Sequence, residues 1–221
     1  MVSATAKVAI VLVAAGAIGI GGWGYATHWR PSPVRYPLQG IDLPADATVL
    51  AWGSVRAAGA DFAYLAATAG TAVRAPAFEA NWQALPEAGL RRGAVHLFAP
   101  CGDGRAQADA FNIVVPHDID ALPPAVAIDE VGDCPPARVV TEVRRFAAAV
   151  EAHAGKPVLL RVSRAAEDAY ALAASLDRPV WVTGNFFRPG YAPRPWRMWR
   201  ASDRRRIDGI EPPLNWDVVA P

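Results

Sequence analysis

Histidine, cysteine and net charge are all scarce in this chain, and each shortage removes a class of function. The four histidines, His28, His96, His117 and His153, lie far apart, with no HExxH motif and no CxxC pair. The sequence therefore calls for no metal and no other cofactor. Lysine plus arginine number 22 against 21 acidic residues, a formal net charge of +1, so no strong field draws the protein to nucleic acid or to a membrane surface. Low-complexity tracts and internal repeats are also absent, and 52% hydrophobic with 19% charged residues is a globular composition. One domain of about 180 residues plus an N-terminal extra fits this length. The two cysteines, Cys101 and Cys134, each follow an apolar run, AVHLFAP (94–100) and AVAIDEVGD (125–133). One disulfide tying neighbouring strand ends is the simplest account of an even count, with two free buried thiols as the alternative. No cysteine lies near the N-terminus, which excludes a lipoprotein anchor there.

Charge is missing altogether between Lys7 and His28, where VAIVLVAAGAIGIGGWGYAT (8–27) offers enough helix to cross about 30 Å of hydrocarbon. Trp23, Tyr25 and Trp29 gather at its far end, as aromatics do at a membrane interface. Residues 1–29 read as a membrane anchor. A cleaved signal peptide is the alternative, with Ala15-Gly16-Ala17 as a cleavage site that leaves a short apolar run before it. Either way the remainder belongs to the cell envelope on the extracytoplasmic side, or is secreted after cleavage. RPSPVRYPL (30–38) reads as a stiff, extended linker that holds the domain off the bilayer. The folded domain, 39–221, then starts at Gln39.

From Gln39 short apolar runs alternate with helical stretches. QGIDL (39–43), DFAYLAA (61–67), GAVHLFA (93–99), PAVAIDE (124–130), KPVLLRV (156–162), RPVWVTG (178–184) and RPWRMWRAS (194–202) read as strands. The stretches 77–89, 105–114 and 138–153 read as helices. This rhythm predicts an α/β fold built on a parallel sheet. Seven or eight such strands suggest an irregular (β/α) barrel of the TIM-like kind, because the last strands have almost no helix between them. In such a barrel the site lies at the C-terminal ends of the strands. That directs attention to Asp42, Ala66 to Ala69, His96, Ala127, Asp129, Asn185, Trp199 to Ala201 and Asn215.

The stretch LPPAVAIDEVGDCP (122–135) is the most informative. Strand alternation points Ala127 and Asp129 to one face and Ile128 and Glu130 to the other. Paired carboxylates two residues apart at a strand end could flank a glycosidic bond, but one of the two positions is alanine.

Several segments, in this order and spacing, resemble the glycoside hydrolase family 25 lysozymes: GIDLPADATVLAWGSVRAAGADFAY (40–64), YLAATAGT (64–71), AFEANWQALPEAGLRRGAVHLFAP (77–100), CGDGRAQADAF (101–111), LPPAVAIDEVGDCP (122–135), PVWV (179–182), MWRASDRRRIDGI (198–210) and PPLNWDV (212–218). The resemblance covers essentially Gln39 to Val219. It implies a flattened, irregular β/α barrel and cleavage of the muramic acid linkage of peptidoglycan. It also locates departures from the family pattern. The LDxEW-like strand has Ala127 at the aspartate and Asp129 at the glutamate, and the PVDxN-like segment has Asn215 at an acid position. The KATEG-like segment is Ala66-Ala67-Thr68-Ala69-Gly70, the Tyr-His pair is Val95-His96, WQY is Trp199-Arg200-Ala201, and a serine position is Pro44. Of the acidic constellation only Asp42 stands unchanged.

Glycoside cleavage needs one carboxylic acid to protonate the leaving oxygen and a second group to stabilise or attack the anomeric carbon. Ala127 does neither, and Asp129 carries its carboxyl on a stem one methylene shorter than glutamate. The expectation is a membrane-anchored, lysozyme-like barrel that binds cell-wall peptidoglycan and cuts it weakly or not at all. His96, Trp199 and Asn215 are the candidate sugar contacts. An active N-acetylmuramidase using Asp42 and Asp129 is one alternative, and a protein-docking module without a sugar ligand is another. Taken alone, His96 in VHLF reads as a satisfied core histidine. Trp181, Trp196 and Trp199 read as core aromatics or as flat sugar platforms. Arg204-Arg205-Arg206 reads as a solvated loop or as a contact for an anionic wall polymer.

Overall fold

A computed structural model describes residues 4–48, 51–193, 195–208 and 210–221. The strands are β1 (Gln39–Leu43), β2 (Phe62–Ala69), β3 (Val73–Arg74), β4 (Arg91–Leu97), β5 (Ala125–Ile128), β6 (Leu159–Val162), β7 (Val180–Thr183), β8 (Met198–Ile207) and β9 (Ile210–Val219). They form one sheet in the order β1-β9-β8-β7-β6-β5-β4-β2-β3, and pairing of β1 with β2 closes eight of them into a barrel. Every neighbouring pair from β1 through β2 and β4 round to β8 is parallel, whereas β9 runs antiparallel to both β8 and β1. The short β3 folds back on β2 outside the closure. The expected α/β barrel is therefore present. β9, which the apolar runs did not reveal, is the strand that completes it.

Alternation divides the strand residues into two cores. Ile41, Leu65, Val126, Leu160, Val182 and Trp216 face outward and pack with the helices. Phe62, Tyr64, Ala125, Ala127, Leu159, Trp181 and Met198 face the barrel interior. Inside the barrel the Tyr64 ring lies so close over Gly93 that a Cβ there would meet it at 2.4 Å, so this position needs glycine.

The outer layer comprises α2 (Trp52–Ala57), α3 (Phe78–Glu87), α4 (Gly104–Val114), α5 (Pro136–Ala154), α6 (Arg164–Tyr170) and α7 (Leu172–Ser175). Asp103 caps α4, accepting from the Ala106 amide at 2.8 Å. α5 buries Val139, Val143, Phe146 and Val150 at helical spacing. Between β7 and β8 there is loop rather than helix, and β8 and β9 form a hairpin, so the barrel is irregular on this side. Strand β8 begins at Met198, later than the expected run, of which position 194 lies outside the described residues. It continues through Arg204, Arg205 and Arg206, so that triplet is strand and not loop. The disulfide joins Cys101 to Cys134 with Cα atoms 5.6 Å apart. It ties the segment after β4 to the segment after β5 at the C-terminal end of the barrel.

The N-terminal segment forms α1 (Ala4–His28). Within it Ile10–His28 is long and apolar enough to cross a membrane, with only 6% of its most apolar window buried. The proline-rich stretch behind it does not stand off as a free spacer. Tyr36 is buried at 5% exposure and its ring meets Trp196 and Trp199 at 6.2 and 6.1 Å. The Gln39 side chain donates to the carbonyls of Pro31 and Tyr36 at 3.0 and 2.9 Å. Arg30 donates to the Ala58 carbonyl at 3.1 Å, and Trp29 packs on Phe186 at 5.2 Å. Prolines stiffen the stretch, but its aromatic and polar side chains find partners on the barrel, so the packed unit extends upstream of Gln39. Removing residues 1–38 is expected to lower the thermal midpoint more than removing residues 1–28, and Tyr36→Ala alone should cost on the order of 3 kcal/mol in chemical denaturation.

Candidate functional site

The C-terminal end of the barrel carries a cluster of charged side chains that alternation turns inward from four strands. Asp42 comes from β1, Arg161 from β6, Arg200 from β8, and Asn215 and Asp217 from β9, while Asp129 follows the end of β5. Burying charge is costly unless it is paired, and here it is. Arg200 donates to both oxygens of Asp42, from Nε at 2.8 Å and from Nη2 at 2.5 Å. Arg161 reaches Asp42 Oδ1 from Nη1 at 3.4 Å and donates from Nη2 to Asp129 Oδ2 at 2.8 Å. Asn215 Nδ2 adds a third donor to Asp42 Oδ1 at 2.8 Å. The antiparallel register sets Asn215 directly opposite Asp42.

Accessibility is graded through the cluster. Asp42 is 2% exposed and Asp217 fully buried, whereas the Asp129 side chain is 40% exposed and that of Arg200 16%. Burial alone would raise the pKa of Asp42. The charges of Arg200 and Arg161 and the hydrogen bonds from Arg200 and Asn215 outweigh it and hold the carboxyl below its ordinary value. Asp217 goes the other way. Burial comes first, the negative charge of Asp42 second, and a carboxyl–carboxyl hydrogen bond with Asp42 adds to both, so its pKa stands well above the carboxylate range. Trp181 Nε1 donates to Asp217 Oδ1 at 3.0 Å, and Oδ2 has no hydrogen-bond partner among the described residues. A proton on Asp217 therefore completes the arrangement. Two guanidinium groups, Arg200 and Arg161, then close on the ionised Asp42 beside one neutral acid.

The Arg161 guanidinium also lies over the Trp181 ring at 5.2 Å, and that ring meets Tyr64 at 5.1 Å. Trp181 is thus a structural column within the barrel. Ala127 faces the same interior, within the apolar cluster that includes Val95, Ala125 and Trp181.

The other candidates separate from this group. His96 lies on the face of β4 turned toward the helices, fully buried and stacked on Phe146 at 4.7 Å. A register shift between Ala66 and Thr68 accompanies a 2.7 Å bond between the Thr68 hydroxyl and His96 Nδ1, while His96 Nε2 meets Gln107 Oε1 at 3.1 Å. With its proton on Nε2 the neutral ring satisfies both partners, and burial pushes its pKa down to about 4. Trp199 likewise faces outward, among Tyr36, Trp196 and Trp29, and donates to the Gly184 carbonyl at 2.7 Å. Neither side chain points into the barrel mouth with Asp42. Asn185 accepts from the Asp203 amide at 3.1 Å, Glu130 is exposed, and Arg205 lies over the Trp216 ring at 5.4 Å. Reading the sequence missed Arg161 and Asp217 as members of the site and included Arg200 only within the segment Trp199 to Ala201. For Arg161 the available signal was a single charge inside the apolar strand LLRV (159–162). No group of three or more His, Cys, Asp or Glu able to hold a metal occurs among the described residues.

The family model for Glycosyl hydrolases family 25 matches residues 41–210. The chain is 29% identical over 193 residues to protein YegX of Escherichia coli strain K12, covering 84% of this chain and 71% of YegX. Over 75 residues it is 43% identical to Lysozyme M1 of Streptomyces globisporus, a match to 34% of this chain and 26% of that protein. Among solved structures, a family 25 glycosyl hydrolase from Bacillus anthracis superposes with a TM-score of 0.80 at 25% identity, covering 88% of this chain and 92% of that one. The bacterial lysozyme of Streptomyces coelicolor gives 0.71 at 26% identity, with 82% and 91% coverage.

Two substitutions should separate the roles of the buried acids. Asp42→Asn strips the two arginines of a shared counter-charge and is expected to destabilise by about 3–5 kcal/mol. Asp217→Asn replaces a protonated acid by a neutral amide and should be tolerated near pH 5. Because the folded pKa of Asp217 is raised, the folded state holds a proton that the unfolded chain releases above about pH 4. This site therefore removes stability as pH rises, by roughly 1.4 kcal/mol per pH unit until the folded pKa is reached. Urea denaturation from pH 5 to pH 8 should show Asp217→Asn gaining on the unaltered protein as pH increases. Asp42 has the opposite sign, since its contribution is present above its unfolded pKa and is lost in acid as the folded pKa is crossed.

Proposed function

This chain belongs to glycosyl hydrolase family 25, and from that membership we propose an extracytoplasmic barrel that binds cell-wall peptidoglycan at its C-terminal mouth and hydrolyses it weakly or not at all. The observation that carries this reading is the state of Asp42, the one acidic position that keeps the family pattern. Both of its oxygens are occupied by Arg200, and a second guanidinium and an amide share Oδ1.

A general acid must hold a proton at working pH and release it to the leaving oxygen. Asp42, with its lowered pKa and 2% exposure, does not hold one. A nucleophile or electrostatic stabiliser must present free negative charge to an oxocarbenium-like transition state, and the charge of Asp42 is already spent on two arginines. Ala127 supplies a methyl group where the family resemblance has an aspartate. Asp217 holds a proton but is fully buried and bound to Trp181, out of reach of a bound sugar. Asp129 remains at the rim, paired with Arg161. Asp129, Arg200 and Asn215 can still offer hydrogen bonds to a glycan. The exposed apolar α1 supports attachment to a membrane, with the cleaved signal as its alternative.

The runner-up is an active N-acetylmuramidase using Asp42 and Asp129. It is favoured by one observation, that Arg161 contacts both carboxylates and so brings them to a single place. Full-length protein incubated with purified peptidoglycan is expected to sediment with the insoluble wall without releasing soluble muropeptides. Release that Asp129→Ala abolishes would favour the muramidase, and neither sedimentation nor release would favour the protein-docking module. Restoring acids alone should not suffice, because Arg200 still holds Asp42. The triple change Ala127→Asp, Asp129→Glu and Arg200→Gln is expected to release muropeptides at least about a hundredfold faster than the unaltered chain, and no gain in a folded triple variant would count against the site assignment. On cell fractionation the protein should stay with membranes through an alkaline wash, and its recovery in the soluble extracytoplasmic fraction would support signal cleavage.

A further inference from the structure

The opposite end of the barrel holds a cavity of about 350 Å³ that the proposed glycan site does not use. Its wall residues fix its position. Phe62, Leu159 and Met198 begin β2, β6 and β8, and Val219 ends the antiparallel β9, so the cavity opens at the N-terminal ends of the parallel strands. Tyr64 forms part of its wall, with the phenol hydroxyl already donating to the Pro123 carbonyl at 3.0 Å.

Two arginines, Arg91 and Arg197, line the same cavity and are exposed to solvent. Their backbones are pinned, the Arg91 amide to the Asp61 carbonyl at 3.1 Å and the Arg197 amide to the Val180 carbonyl at 2.7 Å. Their guanidinium groups have no hydrogen-bond or ion-pair partner among the described residues. The one carboxylate lining the cavity, Asp61, is already engaged by Arg56 at 2.9 Å and by the Gln39 amide at 3.2 Å. An apolar hollow edged by two uncompensated guanidinium groups is complementary to a molecule that is apolar along its length and anionic at one end. Arginine is well suited to the carboxylate of such a molecule, which it can bind through two parallel hydrogen bonds. Small-molecule pockets span about 300–1,000 Å³, so this one sits at the low end and admits one chain.

We propose that this cavity binds a single-chain fatty carboxylate, its hydrocarbon between Phe62, Leu159 and Met198 and its head group against Arg91 and Arg197. The site is separate from the buried ion cluster, with the Tyr64–Trp181 layer between them.

The test is photolabelling of the full-length protein, held in an amphipathic polymer, with dodecanoate carrying a diazirine near its methyl end. Label on α1 reports general apolar partitioning and serves as the reference. The expected result is additional label on the peptides that contain Leu159 or Met198. The double change Arg91→Glu and Arg197→Glu, at exposed side chains, should lower that label by about tenfold or more relative to α1. In the unaltered protein the equivalent uncharged alcohol should label these peptides equally weakly. Label confined to α1 would overturn the proposal, as would cavity label indifferent to charge reversal in a protein of unchanged circular dichroism. Equal cavity labelling by the alcohol and the carboxylate would overturn it as well.

Discussion

Two guanidinium groups closing on one buried carboxylate set the character of this barrel. Asp42 cannot be desolvated without compensating charge, and Arg200 and Arg161 supply it from β8 and β6. The pairing draws β1, β6 and β8 together across the barrel axis. Asp217 beside Asp42 keeps its proton, because burial first and the negative charge of Asp42 second raise its pKa against the opposing pull of the two arginines. Arg161 spans both acids, and Trp181 supports it from below. Such a network is stable only as a whole, since removing one member leaves another charge buried and unmatched.

The cluster divides the interior along its axis. Above the Tyr64–Trp181 layer, inward positions carry charge and amides, whereas below it they carry Phe62, Leu159 and Met198. Outside the strands the helices are held by apolar contacts and by a few buried polar groups with complete partners. His96 is one of these, and its neutral ring bonds Thr68 and Gln107 rather than facing the barrel mouth.

Much of the barrel is written locally. Short apolar runs bounded by glycine and proline marked seven strands, and helical spacing marked α3, α4 and α5 to within a few residues. The cysteine positions anticipated the bridge between the ends of β4 and β5. The aromatic residues of 29–38 were legible only as interface or linker residues, because their partners, Trp196 and Trp199, lie some 160 residues away along the chain. The ion cluster escaped the same reading for a similar reason. Arg161 looks like a lone charge in the apolar run VLLRV; pairing of β5 with β6 sets it beside Asp129, and only closure of the sheet brings it to Asp42.

Sequence by itself determined the kinds of side chain at each strand end, including a methyl group at Ala127 and a retained acid at Asp42. Periodicity and composition, which depend on neighbours in the chain, carry that much. Only the tertiary structure decided how those groups are paired and ionised, which face His96 and Trp199 occupy, and that Arg30 to Leu38 belongs with the barrel. Charge state and exposure depend on distances between residues remote in sequence, and strand closure sets those distances.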